Sequence, residues 1–103
     1  MLESKFQAAL IEDLEILFPN CLVLKNDANY IQGIPDLLIL YKDKWAALEC
    51  KRSADEIPGP NQEYYIRGLD KMSFARFIYP ENKGEVLYDL QRAFRARRPS
   101  RIS

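Results

Sequence analysis

Hydrophobic and polar positions alternate along this chain in two distinct periods. Over residues 3–18, Phe6, Leu10, Leu14, Leu17 and Phe18 recur every three or four positions, and Pro19-Asn20 follows, so the spacing predicts a first helix. Residues 21–25 (CLVLK) predict a short strand, and 26–33 a polar loop. Leu37 to Tyr41 and Trp45 to Lys51 predict two strands joined by a tight turn around Lys42-Asp43-Lys44. The stretch from Ser53 to Pro60 ends in Pro-Gly-Pro and predicts a loop. Residues 61–72 predict a helix with Tyr65, Ile66, Leu69 and Met72 on one side. Phe74 to Tyr79 predicts a fourth strand, stopped by Pro80, and 85–97 a last helix built on Val86, Leu87, Leu90 and Phe94. The order αβββαβα implies an α/β fold, a small mixed sheet flanked by helices. No repeat or low-complexity linker divides the chain, so a single domain over 1–103 is expected.

Composition narrows the chemistry more than the fold. With 103 residues, 48% of them apolar and 29% charged, the chain has ordinary globular usage. No apolar run approaches the roughly 18 residues of a membrane span. A secretory signal is not expected either, because acids rather than a basic segment occupy the first residues. Histidine is absent, which removes Ser-His-Asp and Cys-His nucleophile systems and every imidazole-ligated metal site. Cys21 and Cys50 are too few for a disulfide framework or a structural zinc site, and read as buried, reduced thiols of a cytoplasmic protein. The 15 basic and 15 acidic residues cancel, but unevenly. Residues 1–20 carry a net charge of −3, whereas 86–103 carry +4 from five arginines and one aspartate. That basic end could meet phosphates or be a solvated tail.

The candidate chemistry lies on the central hairpin. Glu49 and Lys51 are two apart on one strand and leave the same face. Glu-x-Lys occurs three times here, at 3–5, 49–51 and 81–83, so the triplet alone carries little. The middle one is set apart by Gly33-Ile34-Pro35-Asp36 at the mouth of the preceding strand. A two-residue turn at Lys42-Asp43 sets Asp36 opposite Glu49; a turn at Asp43-Lys44 sets it opposite Lys51. A three-residue turn would pair it with Cys50 and reverse its direction. Facing carboxylates repel at the close spacing of paired residues and need a cation, such as Lys51 or a hard divalent ion held by oxygen. Otherwise Asp36 caps a turn and Glu49 and Lys51 decorate a solvated face.

Two further polar residues sit on apolar helical faces. At about 100° per residue, Glu3 falls within the arc of Phe6, Leu10, Leu14 and Leu17, where a carboxylate is costly unless paired. It could instead be a frayed residue preceding a Ser4-x-x-Gln7 capping box. Gln62 shares the inward side of Tyr65, Ile66 and Leu69; it either bonds its own helix start or reaches the strand face carrying Glu49 and Lys51.

With these residues in that order, the chain resembles the PD-(D/E)XK nuclease superfamily. Gly33-x-Pro35-Asp36-Leu37, Glu49-Cys50-Lys51 and Gln62 are similar to the virus-type replication-repair nuclease (VRR-NUC) branch, which includes small stand-alone phage proteins. The resemblance runs from Glu3 through the fourth strand and implies a restriction-endonuclease-like core. It implies Mg2+- or Mn2+-dependent hydrolysis of DNA phosphodiesters, on branched, flapped or junction DNA, often by a homodimer. Asp36 and Glu49 would be metal ligands with the Cys50 carbonyl, and Glu3 an outer acidic ligand. Lys51 would orient the attacking water or stabilise developing charge, and Gln62 would position Lys51 or the water. Phage origin would place the protein in the host cytoplasm. Lys25, Lys42, Lys44, Arg52, Arg67, Arg92, Arg95, Arg97 and Arg98 are available for phosphate contacts. Tyr64, Phe74, Tyr88 and Phe94 could contribute to a dimer surface, though most of them read as core. The alternative is a non-catalytic nucleic-acid-binding or interaction module that retains the nuclease fold, a reading the zero net charge permits.

Overall fold

In a computed structural model, residues 2–96 are described. The elements are α1 (Glu3–Leu17), β1 (Leu22–Lys25), β2 (Leu37–Tyr41), β3 (Lys44–Cys50), α2 (Gln62–Met72), β4 (Ala75–Ile78) and α3 (Lys83–Arg95). The predicted order αβββαβα is therefore realised, with boundaries displaced by one or two residues. The strands form one mixed sheet in the order β1-β2-β3-β4. β1, β2 and β3 run antiparallel, while β4 joins β3 in parallel. A parallel neighbour needs a crossover connection, and α2 provides it.

Each face of the sheet is covered differently. Phe6, Leu10 and Leu14 of α1 and Val86, Leu90 and Phe94 of α3 pack onto Leu37, Ile39, Ala46, Leu48 and Ile78. On the other face Ile66 and Leu69 of α2 cover Ala47, Ala75, Trp45 and Phe77. Because β3 lies under helices on both sides, Ala46 to Cys50 are all buried, and the strand reads as a continuous apolar run with Glu49 set into it. Burial of Glu49 and Lys51 thus follows from the central position of β3. An ion pair from Lys83 to Asp13, 2.6 Å, ties α3 to α1 at the surface.

The packing sorts several expectations. Of the four aromatic residues considered for a dimer surface, Phe74 and Phe94 are core, whereas Tyr64 and Tyr88 are exposed. Met72 is also exposed, because α2 rests only on β3 and β4 and its inward stripe ends at Leu69. Cys50 is buried, but Cys21 lies before β1 and is half-buried; both thiols are free. Arg97 and Arg98 lie outside the described residues. No described helix is long and apolar enough to cross a membrane.

Two local features set the register that matters. Lys42 takes a left-handed conformation (φ 56°), and with Asp43 it makes the two-residue turn, so Tyr41 pairs with Lys44 and Leu37 with Leu48. Gly33 has φ +91° and lies against the start of α2; a Cβ there would sit 2.7 Å from the Pro60 carbonyl oxygen and 2.7 Å from the Asn61 Cβ. The loop before Asp36 and the loop before Gln62 are in contact through this glycine. Gly33→Ala combines left-handed strain with a backbone clash, and should cost about 2 kcal/mol, seen as a lower urea midpoint at unchanged m-value.

Candidate metal and phosphodiester site

The two acids of the hairpin meet where its ladder ends. One step beyond the Leu37–Leu48 pair, the Asp36 N–H donates to Glu49 Oε1 (3.1 Å) and the Cys50 N–H donates to Asp36 Oδ2 (2.9 Å). The carboxylates replace the next backbone bonds of the ladder, which fixes both side chains on one side. Asn26 steadies the approach: its N–H donates to the Asp36 carbonyl and its amide nitrogen to the Pro35 carbonyl, each at 2.8 Å.

Glu3 comes from the opposite direction. The helix starts at Glu3 itself, Leu2 is the cap residue, and no side chain caps the helix, so the Ser4 capping box does not form. With Phe6 and Leu10 buried against the sheet, the helical phase turns Glu3 inward. Glu3, Asp36 and Glu49 each present a carboxylate oxygen, and all three oxygens lie within 4.8 Å of one another.

Gln62 links this cluster to Lys51. Its Oε1 accepts from the Gly59 N–H (2.7 Å) and from the Lys51 ammonium, while its Nε2 donates to Glu49 Oε2 (2.9 Å). Gln62 therefore reaches the strand face, and the backbone bond it makes is to Gly59 in the preceding loop and not to its own helix. Lys51 Nζ lies 3.8 Å from Glu49 Oε2 and 3.5 Å from Glu56 Oε2. No buried side-chain polar atom among the described residues is left without a hydrogen-bond partner.

Glu56 was not visible as a site residue in the sequence. It lies in the 53–60 loop, and its Oε1 accepts from the Arg52 N–H (2.8 Å) and from Arg52 Nε (3.1 Å). These donors hold its carboxyl below the ordinary range despite some burial. No periodic pattern marks such a residue; an Arg52-x-x-x-Glu56 spacing in a loop has no fixed geometry.

The other acids are pushed the opposite way. Burial, then the Asp36 charge, raises the Glu49 carboxyl from 4.5 to about 7. Burial also raises Asp36, against the Cys50 N–H bond and the Lys51 charge, and raises Glu3, where the Asp36 and Glu56 charges add to it. The Cys50 thiol is driven up to about 12 by burial and the neighbouring acids, so it stays a neutral thiol. A group that holds its proton in the folded state up to about pH 7, but loses it near 4.5 when unfolded, stabilises the fold in acid. That contribution is complete below pH 4.5 and is lost as pH rises through about 7, up to about 3 kcal/mol for Glu49. Chelator-treated protein should therefore melt at a lower temperature at pH 8 than at pH 5. Millimolar Mg2+ or Mn2+ should reduce that drop. A melting temperature that rises between pH 5 and pH 8 would contradict this.

No family model, curated protein or solved structure matches the chain. The chemistry of the site rests on its own geometry.

That geometry suits a particular kind of ion. Three carboxylates, no imidazole and a buried thiol held neutral make an all-oxygen donor set, which fits hard Mg2+ or Mn2+ rather than zinc or copper. Cys50 enters the cluster through its N–H, which holds Asp36. The expected phosphate-binding cations are scattered. Arg52 is next to the acids but paired with Glu56, and Lys25 ends β1 directly before Asn26, the residue bonded to Asp36. Arg67 is exposed on α2. Lys42, Lys44 and Arg95 line a separate cavity with Tyr41 and Phe94 at the hairpin-turn end, and Arg92 lies over Tyr88 on the last turns of α3. A β2 strand of five residues, about 17 Å at 3.4 Å per residue, separates that turn from Asp36.

Proposed function

We propose that the protein is a Mg2+- or Mn2+-dependent nuclease that hydrolyses DNA phosphodiester bonds, a VRR-NUC-type member of the PD-(D/E)XK superfamily. The observation that carries this reading is the convergence of Glu3, Asp36 and Glu49 within 4.8 Å beside a buried Lys51 held by Gln62. Glu3, Asp36 and Glu49 would hold the ion. A bound divalent ion supplies charge neutralisation at the phosphoryl oxygens and a water of lowered pKa. Lys51 places a fixed positive charge next to the acids, where it stabilises the charge that develops on the phosphoryl group or orients the attacking water. Gln62 keeps the ammonium aimed by accepting a hydrogen bond from it while donating one to Glu49. Nothing in this arrangement needs histidine.

The preferred DNA would be branched, flapped or junction DNA and the working form a homodimer, since a domain of this size has a small footprint. The exposed Tyr64 and Tyr88 remain available to a second protomer. Free thiols at Cys21 and Cys50 suit the cytoplasm, of the host if phage-encoded.

The test is a cleavage panel of single-stranded, duplex, flapped and four-way DNA, with Mg2+, Mn2+ or chelator. Metal-dependent cutting that disappears in folded Asp36 and Glu49 variants is expected. DNA binding indifferent to metal, without cutting, would leave only a binding module that retains the fold.

A further inference from the structure

Lys51 faces two neighbourhoods. On one side are the acids; on the other is a cavity of about 370 Å3 bounded by the 53–58 loop, Ile66 of α2, and Phe77 and Tyr79 of the edge strand and its continuation. Phe77 is the ladder partner of Glu49, so the two side chains leave the same face of the sheet from neighbouring strands, about 4.8 Å apart. Lys51 Nζ lies 6.0 Å from the centre of the Phe77 ring and 3.8 Å from Glu49 Oε2. The cavity therefore begins one strand away from the place where a phosphate would sit.

Its lining combines aromatic, apolar and polar side chains. Phe77 and Tyr79 offer ring surface, Ile66 an apolar edge, and the loop a polar rim. Arg76, also on the wall, is already paired with Asp70 and lies over the Phe74 ring at 4.3 Å, so it does not claim a second anion. A base stacked within a duplex cannot turn sideways into such a space; an unpaired one can, at the cost of little unstacking.

We infer that this cavity receives the base of an unpaired nucleotide adjoining the scissile phosphate, with Phe77 and Tyr79 as its stacking platform. The inference rests on the nuclease reading for its phosphate and adds the reason for a preference for flapped or junction DNA over intact duplex. Base–aromatic stacking of this kind is sequence-tolerant, so the cavity selects strand state and not base identity.

The experiment uses the full chain and single-stranded oligonucleotides carrying either 2-aminopurine or an abasic site at one position, with salt and Mg2+ held constant. Asp36→Asn serves as a background that cannot consume the probe. The expected result is quenching of 2-aminopurine on binding, and about tenfold weaker binding of the abasic oligonucleotide. Tyr79→Ala and the packing-conservative Phe77→Leu should each erase most of that difference while leaving abasic binding unchanged. Equal affinity for both oligonucleotides, with no quenching, overturns the subsite. Failure to bind either one overturns it together with the nuclease reading. Quenching by a wild-type protein that cuts no DNA removes the nuclease reading alone and leaves the base site standing.

Discussion

Asp36→Asn is expected to stop DNA cleavage and, in the metal-free protein, to raise the melting temperature. The substitution is conservative in shape, and the new amide oxygen can still accept the Cys50 N–H that Asp36 Oδ2 accepts at 2.9 Å. What it removes is charge. Asp36 is the largest charged contributor to the raised carboxyls of both Glu49 and Glu3, so losing it relieves repulsion among three oxygens packed within 4.8 Å. At pH 8, where Glu49 is ionised, that relief should be about 1 kcal/mol, or about 5 °C for a domain of this size. In the proposed nuclease the same charge would hold a divalent ion, and a loss of about a thousandfold or more in cleavage rate, ~4 kcal/mol in barrier, is expected. Stability and activity thus move in opposite directions, which a merely structural acid would not produce. The check is a pair of melting curves at pH 8 in chelator and a single-turnover assay in Mn2+. A variant that melts lower and still cuts would end the case for Asp36 as a ligand. Manganese should also stabilise the wild type by more than it stabilises Asp36→Asn, since ligand binding to the folded state raises stability with the logarithm of its affinity.

How much of this could be read from the chain depends on the range of the contact. The hairpin was legible because its period of two and its turn residues are local, yet the facing of Asp36 and Glu49 hung on whether the turn took two residues or three. Lys42 decides it by accepting a left-handed conformation that its side chain does not favour. Glu3 was legible from helical phase; which residue capped the helix was not, and Leu2 takes that place without a side-chain bond. Gln62 showed itself as a polar residue on an apolar stripe. Gly33 stood in the motif, but its reason is a close approach to Pro60 and Asn61, almost thirty residues away, which only the folded chain supplies. Glu56 and the Phe77–Tyr79 cavity had no local signal at all: a loop acid and an edge-strand aromatic become site residues only when β4 lies down beside β3. The exposed Met72 follows the same rule, since amphipathic periodicity marks an inward stripe without saying where the neighbouring layer stops.

Lys51→Met is expected to be the most destabilising single change at the site, and its cost should depend on pH. Methionine nearly matches the lysine stem in length, so packing against the buried surroundings is kept while the ammonium is lost. Lys51 is only 5% exposed, and its charge faces Glu49 at 3.8 Å, Glu56 at 3.5 Å and the Gln62 oxygen. Removing one partner of a buried pair leaves the other uncompensated, typically at about 3–5 kcal/mol. That penalty applies where Glu49 is ionised. Its carboxyl titrates at about 7 with Lys51 present and should titrate higher without it, because the Lys51 charge is one of the influences pulling it down. At pH 5 Glu49 carries its proton in both proteins, and the penalty should shrink to the loss of the Glu56 contact and the Gln62 hydrogen bond. The melting temperature of Lys51→Met should therefore lie about 15 °C or more below wild type at pH 8 and recover most of that gap at pH 5. Adding Asp36→Asn should restore part of it at pH 8, because the acids and the ammonium act on a single charge balance and their effects are not additive. A deficit equal at both pH values would mean that Lys51 stabilises the fold through its stem and not its charge. In that case the ammonium would have no electrostatic hold on Glu49, and the site would lose the cation assigned to the phosphoryl group.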